Sequence, residues 1–420
     1  MADIPSQSID VLVVGAGPAG IAAACEAAEV GRRVVVLDDN PDVGGQIWRG
    51  GRRLAASPSA TTWFERLAAS DAVVHAGSAV VDVLPGPVVV TRHGERIDRW
   101  QPRVIILATG ARERFLPFPG WTLPGVVGAG GLQALVKQGL DVAGKRIVLA
   151  GSGPLLLAVG QLLVKKGANV LAIAEQAPLG RLAAFAGTLL AQPSKLMQAF
   201  AIRRTIGNVL RPGTFPERVQ ADARGLVVSL VSGPAGRQRR DDVGCDLLAC
   251  GFGLVPNLEL PRALGCAIDG GRVAIDPLGR TSVVGVWAAG ECTGVGGIDK
   301  SLIEGQIAGL AAVGHHDRAT RLLSAARRAG RFARALDRTF ALDPRFAKLA
   351  DDATIVCRCE DVVAGRLRCH TNWREAKLLT RIGMGPCQGR VCGPAAEVLF
   401  GWSPDDVRPP FTPTRLSEIA

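Results

Sequence analysis

One pattern occurs twice in this chain and constrains its fold more than any other feature: an apolar run, a glycine turn, a helix-forming stretch, and a second apolar run that ends in an acid. In the first copy, residues 9–14 lead directly into Gly15-Ala16-Gly17-Pro18-Ala19-Gly20, then the alanine-rich stretch 21–29, then Val34-Val35-Val36-Leu37-Asp38. This order is the dinucleotide-binding fingerprint. Gly15 permits the tight turn, Gly17 lets backbone approach a pyrophosphate, and Gly20 brings helix and strand together. The helix N-terminus offers N–H groups to phosphate, and Asp38 stands where a ribose hydroxyl would donate.

The second copy runs from strand 146–150 through Gly151-Ser152-Gly153-Pro154-Leu155-Leu156 and helix 157–166 to strand 169–175, closing at Glu175. Leu156 replaces the third glycine, so helix and strand are expected to stand further apart and the phosphate geometry to be altered. Gly151, Gly153 and Glu175 therefore mark either a fold kept for packing or a site for an adenine nucleotide such as NAD or ATP.

Length and charge bound the rest. At about 150 residues per domain, 420 residues imply about three domains. With 48% hydrophobic and 21% charged residues the composition is globular. The longest apolar stretch, 155–164, is broken by Gly160 and Gln161 and falls short of the roughly 18 residues a membrane span needs. The first eight residues are polar and acidic, unlike a secretion signal, which points to the cytoplasm. The net charge of +11 is lopsided: residues 311–350 carry nine Arg or Lys against three Asp. That stretch has helical composition and reads as a basic connecting helix, either a solvated face or a docking surface for an acidic partner. Without interleaved aromatics, nucleic acid is not the expected partner. The proline-containing tail around 409–413 is a second candidate docking segment.

Ten cysteines in a reducing compartment call for ligand or redox chemistry rather than disulfides. Cys25, Cys245, Cys250, Cys266 and Cys292 are scattered. Cys245 and Cys250 flank a stretch that reads as one strand, whose period of two sends residues five apart to opposite faces, so they are expected to be packing residues. The other five cluster late: Cys357-Arg358-Cys359, Cys369, and Cys387-Gln388-Gly389-Arg390-Val391-Cys392. Cys357, Cys359, Cys387 and Cys392 can enclose a metal centre by pairing two turns. The ligand type suits an iron–sulfur cluster or zinc. Cys369 lies outside both turns and reads as core. Arg358, Lys377, Arg381 and Arg390 lie nearby and would suit an anionic centre. The five histidines form no motif with a nucleophile, and no catalytic acid or base is apparent.

Two further segments carry a resemblance. Residues 104–108 leading to Thr109-Gly110, and residues 281–289 leading to Gly290-Glu291, together with both glycine loops, resemble the two-dinucleotide-domain flavoproteins that include pyridine-nucleotide disulfide oxidoreductases. The resemblance implies an α/β fold of two Rossmann-like domains, with Thr109-Gly110 closing an FAD site and Glu291, in place of the usual Asp, reaching the ribityl chain. Where disulfide reductases carry redox cysteines, this chain has Gly44-Gly45-Gln46-Ile47-Trp48 and none, so disulfide reduction is not expected.

The cysteine segment resembles the bacterioferritin-associated-ferredoxin-like [2Fe-2S] domain. The chain from about residue 8 to 400 is similar to the FAD-containing α (A) subunit of bacterial multi-subunit amine dehydrogenases, a family that includes opine oxidases, D-hydroxyproline dehydrogenases and hydrogen cyanide synthases. That likeness implies an FAD domain at 1–115 and 265–315, a second nucleotide domain at 116–264, a basic connector at 316–350, a [2Fe-2S] domain at 351–400 and a tail at 401–420. FAD would lie on Gly15, Gly17, Gly20, Asp38, Gly45, Gln46, Thr109, Gly110, Gly290 and Glu291. Implied partners are an amine-oxidising flavoprotein (the β subunit) and a small third subunit, with an FMN between subunits as a further expectation. A free-standing NAD(P)H-dependent ferredoxin-type reductase and a non-catalytic scaffold are the alternatives.

Overall fold

The computed structural model describes residues 6–54, 57–190, 192–234, 236–405 and 407–415. The N-terminal residues 1–5 used in the localisation argument, and tail residues 416–420, lie outside that set. The chain divides into two units: Met1–Arg112 with Val255–Arg334 and Asp405–Ala420, and Glu113–Leu254 with Ala335–Pro404.

The first unit is built on a seven-stranded sheet. Val73–Ala76, Val34–Asp38, Ser6–Val14 and Arg96–Leu107 run parallel in that order, with Val286–Ala288 parallel to the far side of Arg96–Leu107. Val88–His93 and Ser78–Leu84 extend it antiparallel. Central strands of a parallel sheet are covered on both faces, which explains the unbroken valine and isoleucine runs. Val11, Val13 and Val36 pack under the helix Pro18–Ala28, while Leu12, Leu37 and Leu107 face the other core.

The second unit carries a five-stranded parallel sheet, in the order Leu210–Pro212, Asn169–Glu175, Arg146–Ser152, Leu247–Phe252 and Val126–Gly128. A three-stranded antiparallel meander, Thr214–Asp222, Gly225–Ser232 and Arg239–Cys245, packs beside it. Residues 335–404 belong to this unit: Phe346 stacks edge-on against Phe215 and Phe252, and Val391 and Val398 pack on the same core. A small core of Val356, Leu367, Trp373, Ile382 and Trp402 holds the cysteine segment.

Four expectations are corrected. Cys245 and Cys250 do not share a strand: one ends at Cys245, the next begins at Leu247, and both thiols are buried in one core. Burial pushes the Cys245 thiol up to about 11 and that of Cys250 higher still, so they remain packing residues for a different reason. Cys369 is exposed rather than core. The basic stretch is two helices, His316–Arg321 and Leu323–Thr339, followed by a short turn at Pro344–Lys348. The 409–413 segment is already engaged by its own unit, since Phe411 is buried and donates its N–H to Val81 O, and Arg92 reaches Pro413 O.

Candidate functional site

The first glycine loop is held by contacts only glycine tolerates. A Cβ on Gly15 would lie 2.2 Å from Ala108 O, and one on Gly20 would lie 1.7 Å from Gly15 O. The helix Pro18–Ala28 begins at Gly17 with no side-chain cap and no acid in its first turn, which suits an anionic diphosphate. Gly45 packs face to face with Gly17, leaving backbone alone to wall the cradle. Asp38 braces the loop: it accepts from Ala16 N–H and, at 2.8 Å each, from the Asn40 backbone N–H and side-chain amide. The role visible for Asp38 is therefore bracing the turn. Gln46 accepts from Arg49.

Thr109 and Gly110 meet a segment far away in sequence. Thr109 Oγ1 donates to Asn257 O at 2.9 Å, Asn257 Nδ2 donates to Thr109 O at 2.7 Å, and Asn257 N–H donates to Gly110 O. Arg112 in turn donates to Asn257 Oδ1 at 2.7 Å and pairs with Glu259.

The turn bearing Gly290 and Glu291 is fixed by a pair the sequence reading missed. Lys300, only 9% exposed, donates from Nζ to Glu304 at 2.8 Å, Thr293 Oγ1 at 2.9 Å, Gly294 O at 3.0 Å and Gly290 O at 3.2 Å. Glu304 also accepts from Gly290 N–H and Thr293 Oγ1. Burial pushes the Glu291 carboxyl up, and Lys300 partly offsets it. Removing one member of such a pair strands the other. Lys300→Met is therefore expected to cost roughly 3 kcal/mol in urea unfolding; an unchanged unfolding midpoint would show that the network adds nothing.

The second loop repeats the first and then closes. A Cβ on Gly151 would lie 1.9 Å from Gly251 O, as Gly15 does with Ala108. Glu175 braces the turn as Asp38 does, accepting from Gly153 N–H at 2.8 Å and Ala177 N–H at 2.9 Å. Burial raises its carboxyl to about 7. Leu156 is fully buried and lies beside Gly251; in the first loop a Cβ at the equivalent Gly20 would lie 1.7 Å from Gly15 O. What distinguishes this loop is residues 340–343 lying across it. Ser152 Oγ donates to Phe340 O at 3.0 Å, Gln176 Nε2 donates to Ser152 Oγ and Ala341 O, and Asp343 N–H donates to Gln176 Oε1 at 2.9 Å. The polar groups around Gly151, Gly153 and Glu175 are thus occupied by the chain itself.

The cysteines form a separate site. Cys357, Cys359, Cys387 and Cys392 line one cavity of about 210 Å³ with Phe115, Trp121, Arg358 and Val391. They associate two by two, Cys357 with Cys392 and Cys359 with Cys387. The Cys392 thiol and backbone N–H groups stabilise Cys357 as the thiolate, pulling it down to about 5, while Cys392 is pushed up by the same bond. A Cβ on Gly385 would lie 2.2 Å from Cys359 Cβ, so glycine lets the two turns meet. Trp121 Nε1 donates to Ile355 O, and Arg358 lies over the Trp121 ring, 5.4 Å from its centroid. Arg381 is tied to Glu360 at 2.7 Å. Among the described residues, no group of three or more His, Cys, Asp or Glu is placed so as to hold a metal ion. Trp121 and Phe115 had no local signal that would place them beside cysteines more than 200 residues away.

Two nucleotide-type loops on Rossmann-like sheets define a two-dinucleotide-domain oxidoreductase. Residues 9–330 match the family model described as pyridine nucleotide-disulphide oxidoreductase. The A subunit of opine oxidase from Rhizobium meliloti (strain 1021) is 32% identical, over 98% of both chains. Hydrogen cyanide synthase subunit HcnB of Pseudomonas protegens is 29% identical, over 92% of this chain and 90% of its own. The crystal structure of L-proline dehydrogenase from P. horikoshii covers this whole chain and 81% of its own with a TM-score of 0.70, at 18% identity, which shows a shared fold. The chain belongs to the pyridine nucleotide-disulphide oxidoreductase family, on the branch that holds the opine oxidase A subunits. It is a flavin oxidoreductase, and its relatives are named as subunits of larger enzymes. Among the described residues, no helix is long and apolar enough to cross a membrane.

Proposed function

We propose that the chain is the electron-transferring FAD and [2Fe-2S] subunit of a multi-subunit amine dehydrogenase, whose opine, D-hydroxyproline or related amino acid is oxidised on a separate flavoprotein subunit. The observation that carries this reading is the one cavity lined by all four cysteines together with Phe115, Trp121 and Arg358. A binuclear cluster takes two thiolates on each iron, so four thiols on one cavity match its ligand count. FAD supplies two-electron acceptance, and the cluster accepts electrons singly. The protein's part is to place these groups and exclude other reactions. Gly15, Gly17, Gly20 and Gly45 would hold the diphosphate; Glu291, on the turn that Lys300 braces, would face the ribityl chain.

The rival reading, a free-standing NAD(P)H-dependent reductase, requires the second loop to admit a nicotinamide dinucleotide. Residues 340–343 oppose that, because their carbonyl and N–H groups take the Ser152 and Gln176 partners. Anaerobic addition of NADH to the flavin-loaded chain is expected to bleach its visible absorbance slowly and without saturation. Fast, saturable bleaching at micromolar NADH would favour the reductase. The proposal is tested directly by reconstituting the chain with its amine-oxidising subunit, then following flavin and cluster reduction once amine is added. Unchanged absorbance with substrate turning over would leave the chain a scaffold.

A further inference from the structure

Two adjacent helices of the second unit, Leu179–Leu189 and Pro193–Ile206, are apolar on more than the face they bury. On the first, Leu182, Phe185 and Leu189 turn inward, and Phe185 meets the Phe340 ring at 5.6 Å. Leu179, Ala183, Ala186 and Leu190 form a second stripe at helical spacing that faces out. On the second helix Ile202 and Ile206 turn inward, while Leu196, Met197 and Phe200 share an outer stripe that continues into Arg203 and Arg204. Leu179, Leu190, Met197 and Phe200 are 69%, 72%, 73% and 69% exposed. A helix that is apolar all round belongs in an interior, and contiguous exposed patches of large apolar side chains mark interaction sites.

The charges on these two helices have one sign. Between Glu175 and Glu217 there is no acid, and the helices carry Arg181, Lys195, Arg203 and Arg204, while Arg211 on the following strand is paired with Asp241. A second copy of the chain would bring the same cations against these and is disfavoured. We propose that the outer faces of these two helices are the docking surface for the amine-oxidising subunit, which would present an apolar centre rimmed by carboxylates. This rests on the reading of the chain as a subunit given above. It assigns the contact to a surface distinct from the basic stretch 318–348, whose Arg327, Arg328, Arg331, Arg334 and Arg338 are exposed without an apolar stripe between them.

The experiment co-expresses the full chain with its amine-oxidising subunit, then measures complex formation by co-purification and sedimentation. The double variant Met197→Glu/Phe200→Glu is expected to lose the complex, weakening association at least about 100-fold. Flavin and iron content should stay at wild-type levels. Arg203→Glu/Arg204→Glu should weaken it about tenfold and flatten its salt dependence, and Phe200→Asn provides an uncharged variant if the double change perturbs folding. A complex that survives these changes overturns the surface while leaving the subunit reading intact. A wild-type chain that binds no such subunit sinks both. Loss of a homodimer, or of binding to phosphatidylglycerol vesicles, in place of loss of the complex would assign the patch to a second copy or to a membrane and overturn the proposal.

Discussion

Anaerobically isolated protein is expected to carry about two irons and two acid-labile sulfides per chain, and Cys387→Ser to lose both. Cys357 and Cys392 are buried in the small core of their segment, so replacing either would confuse ligand loss with packing loss. Cys387 is half-exposed at the cavity and absent from that core, which makes it the cleaner substitution. Serine keeps the shape of the side chain and exchanges a soft thiolate for a hard hydroxyl, a poor ligand for an iron–sulfur centre. Exposed Cys369 provides the control: Cys369→Ser should keep its iron, because its sulfur is outside the cavity and donates to Arg366 O. Stoichiometric zinc in place of iron, or full iron in the Cys387 variant, would end this assignment. Arg358, held over Trp121 at the cavity wall, carries a positive charge beside four groups that bind metal as anions, an arrangement in keeping with a centre whose net charge is negative.

The features legible in the sequence were those set by local rules. A glycine loop between a strand and a helix announces itself because its spacing is fixed by backbone approach, and the structure places Gly15 and Gly151 under the same constraint from a neighbouring strand. The two cysteine turns announce themselves for a similar reason, since C-x-C and C-x4-C can each point two sulfurs one way. What the sequence did not show depends on chain segments brought together from afar. Ser152 and Phe340 are separated by 188 positions, and nothing at either marks the contact that covers the second loop. The strand expected between Cys245 and Cys250 failed because period-two reasoning assumes a continuous strand. Here Asp246 interrupts the run between the strand ending at Cys245 and the one beginning at Leu247, its carboxylate held by the backbone N–H and guanidinium of Arg146. Lys300 carries no local signal of burial; it is the 290–294 turn, folded over it, that takes its ammonium group.

The purified chain alone is expected not to oxidise opines, D-hydroxyproline or glycine with an artificial dye, and co-expression with an amine-oxidising flavoprotein subunit to restore turnover. Removing hydride from a carbon beside nitrogen requires a cation to hold the amino-acid carboxylate and a group to take the amine proton, both facing a flavin ring. Three charged groups near the first glycine loop are already committed. Arg112 is bonded to Asn257 and Glu259, Lys300 to Glu304 and three oxygens of its turn, and Asp38 to the loop it braces. Releasing any of them for substrate would leave buried partners unsatisfied, at about 1–3 kcal/mol for each stranded group, so the resting arrangement opposes such a role. Steady turnover of any of these amines by the lone polypeptide, at rates matching the complex, would place the amine-oxidising chemistry in this chain and contradict the assignment of its glycine loops and cysteine cavity to electron transfer alone.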